Sequence, residues 1–179
     1  NSCLFPNIAN KDRQSINLVT NPHQFCMDDL TFLGTSGQNI RDMMLNSHPI
    51  DQDDGSRCMR AIKQTLKMRH LCPTAPDTLR VYPFKESDPF VISGSDLEFE
   101  DEEDSKALYT QVPHVYFVGN MEAYKEELLS SKGQYLKVIS LPTFATSHSI
   151  VLLDMNSLQS FEVMFDLSEN VVSKEKLKG

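Results

Sequence analysis

Serine, histidine, aspartate and cysteine supply most of the reactive chemistry in this chain, and their spacing decides what each can do. The run Gly34-Thr35-Ser36-Gly37-Gln38-Asn39 brackets a serine with glycines. Backbone N–H groups freed at such glycines can cradle a phosphate. A phosphate loop also needs a Lys followed by a Ser or Thr, and here Gln38 and Asn39 follow instead, so the stretch reads as a structural loop. GTSG also lacks the spacing of a nucleophile elbow, and any Ser/His/Asp triad drawn from the chain would be arbitrary. The five histidines are His23, His48, His70, His114 and His148, with no HxH or HExxH pair among them. No set of three or four ligands stands at metal-site spacing, so no metal or other cofactor is expected. The densest stretch is RHLCPTAPDTL, Arg69 to Leu79, where His70 closes a helical pattern ahead of Pro73, Pro76 and Asp77. A histidine there reads as a hydrogen-bonded structural residue, with Asp77 as its partner or as a turn residue.

Those residues need elements to hold them, and composition says what kind. With 40% hydrophobic and 23% charged residues, the 179-residue chain reads as globular and as long as one ordinary domain. Its net charge of −8 opposes long-range attraction to a phosphate backbone, so DNA is expected to be met only indirectly. The four cysteines Cys3, Cys26, Cys58 and Cys72 are scattered, which fits reduced thiols in a nuclear or cytosolic protein rather than a zinc site. No apolar run is long enough to span a bilayer, and no signal peptide is visible. The chain opens on Asn1 rather than Met, so it is expected to begin inside a domain.

Alternation predicts a strand over Ser15–Thr20, closed by Asn21-Pro22. A hairpin is expected where Gln24–Met27 and Leu30–Leu33 flank Asp28-Asp29, followed by a Gly34–Gly37 loop and a short helix carrying Ile40, Met43 and Met44. The best helix is Asp54–Arg69, with Met59, Ile62 and Leu66 at three- and four-residue steps and basic residues near its end. Pro73 and Pro76 stop it. Tyr82–Ile92 reads as extended. Ser93–Lys106 is an acidic run expected to form a mobile surface loop, with an acidic docking motif as the alternative. His114–Val118 reads as a buried strand ending at Gly119-Asn120, and Met121–Ser130 as a short helix or turn. Strands are expected at Tyr135–Leu141, Ser149–Asp154 and Gln159–Phe165, the last two joined by a turn at Asn156-Ser157. The expected organisation is one domain over 1–170 with an acidic loop at 93–106, and a flexible charged tail at 171–179. Strands around a central helix fit a layered α/β sandwich.

From about Ile16 to Phe165 the chain resembles the small (B) accessory subunits of DNA polymerase delta. The resemblance rests on LVTNP (Leu18–Pro22), FLGTSGQNI (Phe32–Ile40), RHLCPTAPDTL, YPF with DPF (Tyr82–Phe84 and Asp88–Phe90) and PHVYFVGN (Pro113–Asn120). The opening CLFP (Cys3–Pro6) is similar to the family's segment before the first strand, and the acidic run Ser93–Lys106 is an insertion. The resemblance implies a calcineurin-like phosphoesterase sandwich, of which this chain would be the C-terminal part, without the front half and the attached OB domain. In active archaeal relatives of that fold, histidines bind the metals at positions that look equivalent to Ser36, Asn120 and Glu122. A hydroxyl, an amide and a carboxylate do not rebuild an imidazole-rich two-metal site, so the phosphoesterase is expected to be inactive. Gly34, Gly37, Arg69, His70, Pro73, Pro76, Asp77 and Gly119 are then motif residues with structural roles.

The implied function is a noncatalytic scaffold in a nuclear replicative polymerase complex, supporting replication and repair synthesis. Its implied partners are the cysteine-rich C-terminal domain of the catalytic subunit and a third subunit carrying a sliding-clamp motif, with no membrane. Two other readings stand beside it. One is a metal-dependent phosphoesterase or nuclease whose further ligands lie elsewhere. The other is a small subunit shared with, or belonging to, a zeta, alpha or epsilon polymerase. Half a sandwich would also leave Tyr135–Leu141 and Ser149–Asp154 with an uncovered face or edge.

Overall fold

The computed structural model describes residues 16–47, 54–82, 88–92, 113–131 and 134–166. Its elements are β1 (His23–Met27), β2 (Leu30–Thr35), α1 (Gln38–Asn46), α2 (Asp54–Met68), β3 (Val115–Met121), β4 (Lys125–Ser131), β5 (Gln134–Pro142), α3 (Phe144–Ser147), β6 (Ser149–Leu153) and β7 (Ser160–Met164). A five-stranded sheet runs in the order β1-β2-β3-β5-β4, and β6 with β7 makes a separate ribbon. β2, β3 and β5 are parallel, while β1 and β4 pair antiparallel at the two edges.

Parallel strands buried on both faces are apolar at successive positions, and β2, β3 and β5 follow that rule. Leu33, Tyr116, Val118, Leu136 and Val138 point to one side. There they meet Ile40 of α1 and the Met59, Ile62, Leu66 stripe of α2 in the larger core. The intervening positions Phe32, Val115 and Ile139 point the other way and pack with Phe25, Val151 and Leu153. The architecture is therefore a mixed α/β one, with helices on one face of a central sheet and a β ribbon on the other. Among the described residues no helix is long and apolar enough to cross a membrane.

The β1–β2 hairpin forms where expected. Asp28 and Asp29 turn with φ of 45° and 65°, the positive pair that a two-residue hairpin needs to match strand twist. The turn sets Phe25 opposite Phe32, whose rings stack at 5.0 Å. α2 ends in a Schellman motif: Arg69 adopts φ 55°, its N–H bonds Leu66 O, and His70 N–H bonds Thr65 O. Arg69 therefore lies just past the helix rather than inside it.

Three expectations are corrected. Ile16–Thr20 pairs with no strand, and the alternation there has no sheet neighbour to satisfy. Gly34 and Thr35 belong to β2, so the turn is confined to Ser36-Gly37. Met121–Ser130 is not helical: Met121 ends β3, and Lys125–Ser131 is edge strand β4, paired with β5 from Lys125↔Ser140 to Ser131↔Gln134. Partner hydrogen bonds from β5 overrode a helix-compatible composition in KEELLSS. The uncovered-strand expectation divides. β5 lies between β3 and β4 and is buried along Leu136–Ser140, but β6 leaves Ile150 and Leu152 exposed. The acidic run 93–106, the tail 171–179, the CLFP segment, Pro83-Phe84 and His48 lie outside the described residues.

Candidate functional site at the carboxyl ends of β2 and β3

Crevices outside the carboxyl ends of parallel strands are where ligands bind in open α/β sheets, and the GTSGQN and FVGN motifs both end there. Backbone shape brings them together. Gly37 has φ 85°, and a Cβ built on it would lie 2.0 Å from Gly119 O. The two motifs thus meet backbone to backbone, at a distance only glycine allows. Gly34 has a different reason: a Cβ there would lie 2.2 Å from Phe117 Cζ, since that ring crosses over its strand partner.

β3 carries a register shift between Val118 and Met121, and Asn120 within it has φ 56°. A bulge re-aims a side chain that a regular strand would send elsewhere, and asparagine tolerates this conformation. Asn120 Nδ2 accordingly donates to Ser36 O at 3.1 Å. Asn21, from the segment before β1, donates through Nδ2 to Ser36 Oγ at 2.7 Å and accepts from Ser36 N at 3.0 Å. Arg41, one turn into α1, donates from Nη2 to Asn120 O at 2.6 Å. Ser36 and Asn120 are joined in this amide, hydroxyl and guanidinium knot. Glu122 is not part of it: two residues past the bulge it is exposed, and its charge acts on Cys58 instead. Asn21 and Arg41 were missed from sequence. Asn21-Pro22 read only as a turn, and Arg41 was not singled out.

Beside the knot lies a cleft of about 710 Å³, whose lining includes Asn21, Thr35, Gln38, Asn39, Leu71 and Phe90. RHLCPTAPDTL forms one wall and acts as a clamp. Asn39 Nδ2 donates to Leu71 O at 2.6 Å, Leu71 N to Phe90 O at 2.8 Å, and Thr78 Oγ1 to Asp42 Oδ2 at 2.6 Å. Cys72 N–H donates to His70 Nδ1 at 3.1 Å, so the ring hydrogen sits on Nε2, which donates to Asp88 Oδ2 at 3.0 Å. The histidine's partner is Asp88, not Asp77. Asp77 is exposed, and it lies with Pro73 and Pro76 in the turn over 73–78, where the Ala75–Pro76 peptide is cis. Desolvation works against the Asp88 carboxylate, but hydrogen bonds from Phe90 N–H and His70 outweigh it and hold its pKa below the usual value.

Under the cleft, burial pushes the Tyr116 phenol up to about 12, against neighbouring groups of Thr65, Thr35 and Asn39. Thr65 Oγ1 is committed to Ile62 O and Asn39 Nδ2 to Leu71 O. Neither Tyr116 Oη nor Thr35 Oγ1 makes a well-formed hydrogen bond. Burial also raises the thiol pKa of Cys72, which lines the cleft, and of Cys58. Thiols in such surroundings are inert.

Among the described residues the imidazoles stay away from the knot. His23 stacks on Phe25, His114 Nδ1 accepts from Thr31 N–H, and His148 packs edge-on against Phe144. Among the described residues no three His, Cys, Asp or Glu side chains stand close enough to share a metal ion. What the knot does is hold two strand ends and a helix start together.

This chain is similar to the DNA polymerase delta small subunit of Arabidopsis thaliana, 36% identical over 95% of this chain and 33% of that protein. It is 35% identical to the small subunit of Oryza sativa over 92% of this chain and 34% of that protein. With DNA polymerase delta subunit 2 of Drosophila melanogaster the figures are 33% identity, 92% and 33%. The chain thus spans about a third of the length of the curated relatives it matches. The model of one family, the DNA polymerase alpha/epsilon B subunits, matches residues 1–95, just over half of the 179. That match runs through the GTSGQN turn and the RHLCPTAPDTL clamp, and the chain belongs to the DNA polymerase alpha/epsilon B-subunit family.

Proposed function

We propose that this chain is part of a noncatalytic accessory subunit of a replicative DNA polymerase delta complex. The observation that carries the reading is the 36% identity to a delta small subunit along 95% of the chain. In this reading the sheet, helices and ribbon are the C-terminal part of a calcineurin-like phosphoesterase scaffold. Ser36, Asn120 and Glu122 occupy positions that held metal ligands in its active relatives. The hydrogen bonds among Asn21, Ser36, Asn120 and Arg41 support it, since they tie these side chains into the scaffold at the strand ends. Gly34, Gly37, Gly119 and the Arg69–Asp77 clamp are then scaffold residues. This accessory protein engages the cysteine-rich C-terminal domain of the catalytic subunit, holds a third subunit with a sliding-clamp motif, meets DNA through the complex and works in the nucleus.

The test is co-expression of the full-length polypeptide with the cysteine-rich domain of a delta catalytic subunit. Capture of the full-length polypeptide on that domain is the expected result, and failure of a soluble full-length form to bind would overturn the assignment. A manganese-dependent phosphodiesterase activity of the purified polypeptide, abolished by chelation and by Asn120→Ala, would instead establish a working phosphoesterase.

A further inference from the structure

The cleft beside the knot has polar groups that the knot leaves unused. Of the residues lining it, Arg80 is the only charged one. It is exposed, and among the described residues its guanidinium makes no hydrogen bond or ion pair. The neighbouring carboxylates are engaged: Asp88 by His70 and by Phe90 N–H, and Asp42 by Thr78. Gln38 and Asn39, the first residues of α1, also line the cleft. The first N–H groups of a helix have no partner within it. Here Gly37 supplies no side-chain cap and the first turn holds no acidic residue, so the positive end of α1 is not neutralised by its own side chains. Thr35 adds a hydroxyl. It is 7% exposed, shares by alternation the face of β2 that carries Leu33, lines the cleft, and makes no well-formed hydrogen bond through Oγ1. Buried hydroxyls ordinarily find a partner, and a carboxylate would accept from this one.

These groups favour an anion, and the rest of the cleft says which kind. Leu71, Val81, Pro89 and Phe90 make much of the lining apolar. Two stretches outside any helix or strand also contribute, one ending at Thr20 and the other spanning 80–82. Neither forms a backbone–backbone hydrogen bond with a described residue. Apolar side chains stand exposed along them: Leu18 and Val19 on the first, and Tyr82, 90% exposed, on the second. A nucleic acid fits this surface poorly, since a chain of net charge −8 repels a run of phosphates and one arginine matches a single charge. A peptide fits it, because free backbone groups pair with an extended segment and an apolar cleft takes its side chains.

We propose that this cleft docks an extended peptide segment of a partner protein that presents a carboxylate beside apolar side chains. The carboxylate pairs with Arg80 and with the uncapped start of α1. The apolar side chains fill the cleft against Leu71 and Phe90, and the peptide backbone hydrogen-bonds the free backbone over 80–82.

Random peptides displayed on phage and selected against the full-length polypeptide supply the probe. Enriched sequences should share an Asp, a Glu or a free C-terminal carboxylate next to apolar residues. Such a peptide, synthesised with a fluorophore, should bind at least about tenfold more weakly to Arg80→Glu. A similar loss is expected for Gln38→Glu, which brings a competing carboxylate to the first turn of α1. Arg80 and Gln38 are exposed, and melting temperatures within a few degrees of the parent show that both variants fold. Equal affinity for the parent and both variants would place the peptide elsewhere and overturn the proposal. So would enrichment of sequences that lack a carboxylate. Selection of no sequence at all would also overturn it, with the cleft closed by the chain itself. Self-association of the polypeptide that Arg80→Glu abolishes would make a second copy the occupant and overturn it as well.

Discussion

Gly37 and Tyr116 show how single positions divide between shape and chemistry. Gly37 combines φ 85° with a carbonyl 2.0 Å from where a Cβ would sit, so Gly37→Ala strains the turn and separates the two motifs. A loss of about 2–3 kcal/mol is expected from urea unfolding, and a change below about 0.5 kcal/mol would show that the close approach to Gly119 is relaxed in solution. Tyr116 is fully buried with a hydroxyl that lacks a well-formed hydrogen bond. Tyr116→Phe removes that polar atom while keeping the ring, so stability should hold or rise by up to about 1 kcal/mol. A clear loss would mean the hydroxyl is bonded, to Thr35 or to an ordered water. Gly37 was singled out from sequence because glycines punctuate turns. Tyr116 was not, because nothing local says that its hydroxyl ends inside the core.

At the scale of elements, the end of α2 and the 88–92 segment form a unit joined by His70 and Asp88. Asp88 has its folded pKa depressed below the usual carboxylate value, so its contribution is fully present above the unfolded pKa. It is lost as pH falls through the folded one. Between about pH 5 and about pH 2 the denaturation midpoint should fall more steeply for the parent than for Asp88→Asn. Parallel curves would remove Asp88 from the acid response. Across the sheet, Lys137 is only 5% exposed. Its ammonium is 2.8 Å from Glu126, whose carboxylate also accepts from Tyr124 and from Ser160. Burial, with the Glu126 and Glu162 charges adding to it and the Ser160 hydrogen bond opposing it, pushes the Tyr124 phenol up to about 12. Glu126→Ala strands a buried cation. Because Glu126 is itself partly exposed, the expected cost lies at the low end, about 2 kcal/mol. Restoring much of that loss by adding Lys137→Met would identify the stranded charge as its cause, and no restoration would reject this account.

For the whole molecule, the ribbon sets the outer boundary. Its inner face, Val151 and Leu153, packs on the sheet, while Ile150, Leu152 and Phe161 on its outer face are 40%, 51% and 37% exposed. Contiguous exposed apolar side chains drive association. Leu152→Lys with Phe161→Thr should therefore raise the soluble fraction of the chain in a centrifugation assay without shifting its melting temperature by more than a few degrees. An unchanged soluble fraction would show that aggregation, where it occurs, starts elsewhere.

The sequence by itself determined the hairpin at Asp28-Asp29, the two main helices, most strand positions and the family, since these rest on periodicity, turn chemistry and ordered motifs. It also singled out His70, whose ring the structure places in hydrogen bonds with Cys72 N–H and Asp88. Only the tertiary structure decided that Lys125–Ser131 is a strand, that Asp88 is the partner of His70, and that Asn21 and Arg41 complete the knot with Ser36 and Asn120. The reason is the same in each case. KEELLSS suits helix or strand by composition, and hydrogen bonding to β5 selects between them. His70 and Asp88, or Arg41 and Asn120, lie far apart along the chain and meet because the sheet order and the bulge in β3 carry them to one place. Local sequence encodes turns and periods, but partners across such separations exist only once the chain has packed.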